Sequence, residues 1–150
     1  MSATYTNVLI HLVFSTKNRA PLIVESVQDE LRKYISGIAR GEGGNVIAIN
    51  AVVDHVHLLL RLSPSKPLAD LVRAIKASSS RWMKTRKPIS RTFRWQDGYS
   101  AFSVSESRLR QVAQYIERQQ EHHRRRDFRD ELLALLKRHS IEYEDRYLWD

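Results

Sequence analysis

Two histidines separated by one residue, His55 and His57, stand in the run Asp-His-Val-His-Leu-Leu-Leu. Side chains alternate along a strand, so Val56, Leu58, Leu60 and Leu62 would share one face and His55, His57, Leu59 and Arg61 the other. Two imidazoles on one face can converge on a single divalent cation, or can simply be solvated or hydrogen-bonded. Further along, Tyr115 and Gln119 are four residues apart. On a helix this brings a phenol and an amide oxygen to the same side, one turn apart, although an isolated pair of this kind also fits a half-buried aromatic and a solvated amide. His11, on an apolar stretch, and His122 and His123, one turn beyond Gln119, could each be an auxiliary ligand, but read rather as core packing for the first and solvated for the others. Tyr143 and Tyr147, in an acidic tail without a neighbouring ligand, read as anchors of that tail. With no cysteine in the chain, disulfides, thiolate nucleophiles and cysteine-ligated zinc are excluded, leaving histidine, carboxylate, amide and water as metal ligands.

The elements that must position these groups follow from periodicity. Residues 5–15 are apolar on both alternating faces, as in a central strand. Ser26 can cap a helix with Asp29 and Glu30 in its first turn, and Val27, Leu31, Tyr34, Ile35 and Ile38 recur at helical spacing until the glycines at 41, 43 and 44. Residues 45–53 and the histidine run form a predicted hairpin. Leu68, Leu71, Val72, Ile75 and Ser79 mark one stripe of a second helix, closed by Pro88. A fourth strand follows Gly98, Ser105 caps a third helix with Leu109, Val112, Ala113 and Ile116 inward, and a last helix runs from about Asp127 to Arg138. The order strand, helix, strand, strand, helix, strand predicts an α+β, ferredoxin-like βαββαβ antiparallel sheet with both crossover helices on one face, plus C-terminal helices. The bare face would be open to a ligand or partner, and Asp54 would point away from the histidines. The 150 residues fit one domain.

Charge adds a partner class. The chain carries a net +8, of which +6 lies in residues 76–150. Between Asp70 and Asp97 there is no acid, while Arg73, Lys76, Arg81, Lys84, Arg86, Lys87, Arg91 and Arg94 are interleaved with Trp82, Phe93 and Trp95. Positive charge beside flat rings suits the phosphates and bases of a single strand, with Arg73, Lys76, Arg81, Lys84 and Arg94 as the candidate contacts. No apolar run approaches the roughly 18 residues of a membrane span, and the start lacks a basic, cleavable leader, so a cytoplasmic protein is expected.

Taken together, His55, His57, Tyr115 and Gln119 on this fold resemble the HUH superfamily of single-tyrosine transposases, specifically the insertion-sequence two-hundred group with its solo host-encoded, REP-associated relatives. The likeness spans nearly the whole chain: HLVFSTKNR, VVDHVHLLL, SSSRWMK, RWQDGYSAFSVS, YIERQQEHH, FRDELLALL and EYEDRYLW occur in the family's order. Val53 replaces the family's usual proline before the Asp-His pair, a change confined to the hairpin turn. The resemblance implies that His55, His57 and Gln119 bind Mg²⁺ or Mn²⁺ and that Tyr115 is the nucleophile. Cleavage of single-stranded, hairpin-containing DNA would proceed through a 5′-phosphotyrosine, followed by strand transfer, in a homodimer whose active sites are shared in trans.

Two other functions fit parts of the pattern. A non-catalytic single-stranded nucleic-acid-binding protein on the same fold would explain the basic window but not the histidine pair with Tyr115 and Gln119. A metal hydrolase using His55 and His57 would need a carboxylate near them, and no His-Glu-x-x-His occurs.

Overall fold

The computed structural model describes residues 3–86, 92–121 and 127–150. Strand β1 (Val8–Ser15) leads through a 3₁₀ turn at Lys17–Arg19 to helix α1 (Glu25–Gly41). Then come β2 (Asn45–Ala51), β3 (His55–Leu62), α2 (Leu68–Lys84) and β4 (Ser100–Val104). A 3₁₀ turn at Glu106–Arg108 precedes α3 (Leu109–Glu117), and α4 (Phe128–Arg138) follows. The sheet order is β2-β3-β1-β4 with every neighbouring pair antiparallel, the expected ferredoxin-like arrangement.

Strand alternation divides the molecule as predicted. Leu12, Phe14, Val56, Leu58 and Leu60 face α1 and α2, where Leu31, Ile35, Leu71 and Ile75 complete the main core. Helix α1 places Val27, Leu31, Ile35 and Ala39 inward at four-residue spacing. It starts two residues earlier than the Ser26 cap would have it: Val24 is the N-cap and no side chain caps it. At the other end the chain reverses through Gly43, whose φ of 88° is cheap only for glycine, and Gly44 N–H closes on the Ala39 carbonyl at 2.8 Å. Helix α2 ends at Lys84, with the Thr85 hydroxyl donating to the Trp82 carbonyl at 2.7 Å. Pro88, expected to close it, lies outside the described residues.

The second sheet face departs from expectation: it is covered by the chain itself. Ile116 of α3 packs on Ala48 and Leu59, while Phe128, Leu132, Leu135 and Leu136 of α4 pack on Val13 and Phe102. Two amphipathic helices have few other surfaces on which to bury their stripes, and burial of such side chains contributes about 1.5–3 kcal/mol each. Residues 148–149 reinforce this layer, because Leu148 and Trp149 join the α4 cluster. Tyr143 and Tyr147 are 47% and 55% exposed, so they are not the anchors of the tail.

Candidate functional site

Strand β3 begins immediately after a turn at 52–54, in which Val52 N–H donates to the His55 carbonyl at 3.0 Å. His55 and His57 are both buried on the face covered by α3 and α4. Behind His55, Nδ1 lies 2.7 Å from Asp54 Oδ1, so a proton on that nitrogen leaves Nε2 as a lone pair. That Nε2 faces Gln119 Oε1 at 3.2 Å. Asp54 therefore serves the histidines instead of pointing away from them. It precedes the strand, and the alternation rule that predicted the opposite does not reach into the turn.

His57 has a different support. Its Nδ1 lies 2.7 Å from Nε2 of the buried His11, and its Nε2 lies 2.8 Å from Glu131 Oε1. The same carboxylate oxygen is 3.9 Å from His55 Nε2. The strand register explains the His11 contact: His57 pairs with Val13 and His11 with Leu59, making the two histidines diagonal neighbours on one face. Burial, followed by the neighbouring His57, holds His11 well below the usual histidine range.

Helix α3 brings the half-buried Tyr115 edge-on to His57, with ring centroids 5.9 Å apart and planes at 85°. The Tyr115 hydroxyl also favours the ionised form of the Glu131 carboxylate. The helix breaks at Arg118, yet Gln119 in the next short helical stretch still reaches His55. Asn50 of β2 fixes this end of α3: its side-chain amide donates to the carbonyls of Ile116 and Glu117 at 3.0 and 3.1 Å. From α4, the Phe128 ring lies flat on His55, with centroids 3.7 Å apart. Burial pushes the Glu131 carboxyl up, but the hydrogen bond from His57, the charges of His57 and His55 and the Tyr115 hydroxyl outweigh it and bring the group to about 2.

The expected quartet of His55, His57, Tyr115 and Gln119 thus converges within one chain, and His11, Asp54 and Glu131 join it. Among the described residues, His55, His57 and Glu131 each offer a ligand atom within 4.8 Å of the others. Gln119 is fully buried and its Nε2 has no hydrogen-bond partner among the described residues. Two imidazole nitrogens, a carboxylate and an amide oxygen form a donor set suited to a divalent cation. Glu131 left one signal in the sequence, a charged residue beside the apolar stripe of Phe128, Leu132 and Leu135, where a solvated acid does not belong. His122 and His123 lie outside the described residues.

The basic window lies on the other side of the sheet. Arg73, Lys76, Lys84 and Arg94 line a shallow groove of about 520 Å³ between α2 and residues 94–99. Arg81 is exposed but does not line it, and Lys87 and Arg91 are outside the described residues. Lys76 Nζ donates to the carbonyls of Asp97 and Gly98 at 3.1 and 2.7 Å. The interleaved aromatics are structural instead of base-stacking. Phe93 and Trp95 belong to the main core, Trp95 Nε1 donates to Ser79 Oγ at 2.9 Å, and Trp82 stacks on Tyr34 of α1 at 5.0 Å.

The family model described as "Transposase IS200 like" matches residues 4–119. The ISDra2 transposase TnpA of Deinococcus radiodurans is 34% identical over 114 residues, covering 73% of this chain and 81% of the relative. A crystal structure assigned as a transposase from Deinococcus radiodurans R1 superposes with a TM-score of 0.63 at 31% identity, over 79% of this chain and 95% of the other. A REP-associated tyrosine transposase bound to a REP hairpin shares the fold, with a TM-score of 0.61 at 17% identity over 82% and 73% of the two chains. With more than half its length matched by the family model, the chain belongs to the IS200-like transposase family.

Proposed function

We propose that this transposase cleaves and rejoins single-stranded DNA, with Tyr115 as the nucleophile and a divalent cation, Mg²⁺ or Mn²⁺, held by His55, His57, Gln119 and Glu131. The observation that carries the reading is the meeting of Tyr115 with the buried His55–His57–Glu131 cluster. When bound, the cation would polarise the scissile phosphate and offset charge developing on it. Asp54 and His11 hold the backs of the two imidazoles, so both Nε2 atoms face inward. Glu131 stays ionised beside Tyr115, so its negative charge favours one orientation of the phenol.

In the reaction, the Tyr115 oxygen–phosphorus bond forms as the bond from phosphorus to the 3′ oxygen breaks. The phenol loses its proton and the departing 3′ oxygen gains one. The resulting 5′-phosphotyrosine retains the energy needed for a second 3′-hydroxyl to attack it and release Tyr115. The REP hairpin bound by the structural neighbour supports a hairpin-containing single strand as the DNA. The reading places the protein in the cytoplasm and includes a homodimer that exchanges α3. In the described chain α3 lies on its own histidines, so exchange means remaking the Asn50 contacts between copies.

Two carboxylates at the histidine pair also supply what a metal hydrolase would need, and one experiment separates the readings. A labelled single-stranded DNA library with Mg²⁺ or Mn²⁺ is expected to leave DNA covalently attached to the protein after denaturation, and Tyr115→Phe to abolish the adduct while retaining DNA binding. Cut DNA without attached protein would replace transfer by hydrolysis. Binding without cutting would leave a non-catalytic binder.

A further inference from the structure

A cleft of about 860 Å³ opens beside Tyr115, between the end of β4, the 3₁₀ turn before α3 and the last turn of α4. Its size falls in the range of sites that hold a small organic ligand or a nucleotide. Arg108 and Arg138 both line it, both are exposed, and neither forms an ion pair with a described residue. The one acid among its described lining residues is Glu131, already engaged by His57. Away from that corner the cleft is therefore cationic. One wall is the half-buried His139 ring, which lies over the buried Phe102 with centroids 4.7 Å apart and planes at 27°. Unpaired guanidinium groups and a flat aromatic wall are the two features that recognise a single-stranded nucleotide, the first by its phosphates and the second by its base.

The location matters as much as the chemistry. The groove of Arg73, Lys84 and Arg94 borders the start of β4, and this cleft borders its end. Among the described strands β4 pairs only with β1, which makes it an edge. A strand of DNA held in the groove therefore reaches Tyr115 by crossing the β4 edge into the cleft.

We propose that this cleft seats the nucleotide next to the scissile phosphate, with its phosphates on Arg108 and Arg138 and its base against the half-buried His139 ring, which the buried Phe102 backs. The assignment rests on the transposase reading for its substrate, but its test does not depend on cleavage. A single-stranded library carrying 5-iododeoxyuridine is photocrosslinked to full-length Tyr115→Phe protein, and the attached peptides are mapped. Crosslinks are expected in the peptides carrying Phe102 and His139. Arg108→Gln and Arg138→Gln are each expected to weaken DNA binding by about tenfold. In the Tyr115 background these same changes should raise KM for adduct formation by a similar factor with kcat within about twofold, and leave Mn²⁺ affinity unaltered. Crosslinks confined to α2, with both arginine variants binding as tightly as the parent, would overturn the cleft assignment even if wild-type protein forms its adduct. Crosslinks in the cleft without any adduct would uphold the assignment and overturn the transfer chemistry instead.

Discussion

His11 Nε2 and His57 Nδ1 stand 2.7 Å apart in the buried centre of the sheet, so one candidate metal ligand is braced by an imidazole while its neighbour His55 is braced by the Asp54 carboxylate. Partners of this kind fix the tautomer and ring orientation of a ligand and typically account for about 10–100-fold in metal affinity. His11→Ala is therefore expected to lower Mn²⁺ affinity by about that factor, measured by calorimetric titration of protein whose fold is verified by circular dichroism. Glu131→Gln removes the one anionic donor and should lose at least as much. Unchanged affinity in Glu131→Gln would remove that carboxylate from the ligand set.

Sharing of sites between copies is tested by mixing His57→Ala with Tyr115→Phe, each inactive alone, under conditions that exchange subunits. If α3 is exchanged, each mixed dimer holds one site with Tyr115 from one chain and both histidines from the other, and adduct formation returns in part. If α3 stays where Asn50 ties it, every site keeps a defect and the mixture is dead, provided mixed dimers are shown to form.

Groove contacts should be visible in salt dependence. Lys84→Ala and Arg94→Ala are each expected to reduce the slope of log affinity against log salt by roughly 0.7 per lost phosphate contact on a single strand. Arg81, which does not line the groove, should change the slope less. An equal effect of all three would mean that the strand lies over the exposed side of α2.

Lys76 introduces a pH step into the same groove. Burial pushes its amine down from 10.5 to about 8, with Asp97 offsetting only part of the shift. Single-strand affinity should therefore fall as pH rises from 7 through 9, and Lys76→Arg should flatten that fall, read by fluorescence anisotropy at constant salt. Stability moves in the opposite direction. Between about 8 and 10.5 the unfolded chain binds more protons at this group than the folded one, so the destabilisation from burying the charge is present below 8 and relieved as pH rises across that interval.

Periodicity exposed the fold because it is a local property. The alternation of β3 put His55 and His57 on one face, and the four-residue spacing put Tyr115 and Gln119 together; both still meet the histidines, although the helix breaks at Arg118 between them. What periodicity could not carry were pairings set by register and docking. His11 meets His57 only through the β1–β3 register, and Asn50 meets α3 across 66 residues of sequence. Glu131 meets His57 across 74. The covered sheet face escaped for a related reason: an amphipathic stripe says that a helix must dock, but not whether its own sheet or a neighbour's receives it. Phe93 and Trp95 were ambiguous because an aromatic beside arginines serves a core and a nucleic acid equally well, and only burial separates the two.

Those long spans bear on when the site comes into being. Tyr115 and Gln119 follow the histidines by some sixty residues, Glu131 comes later still, and Trp149, whose ring backs Phe128 at 5.3 Å, follows Glu131. A chain emerging from the ribosome can assemble β1, β2 and β3 with α1 well before any of these exist, whereas contacts of large sequence separation form late. A nascent chain of this family member therefore holds Tyr115 apart from His55 and His57 while β1, β2, β3 and α1 are made, and the candidate site closes only after α3 and α4 have followed.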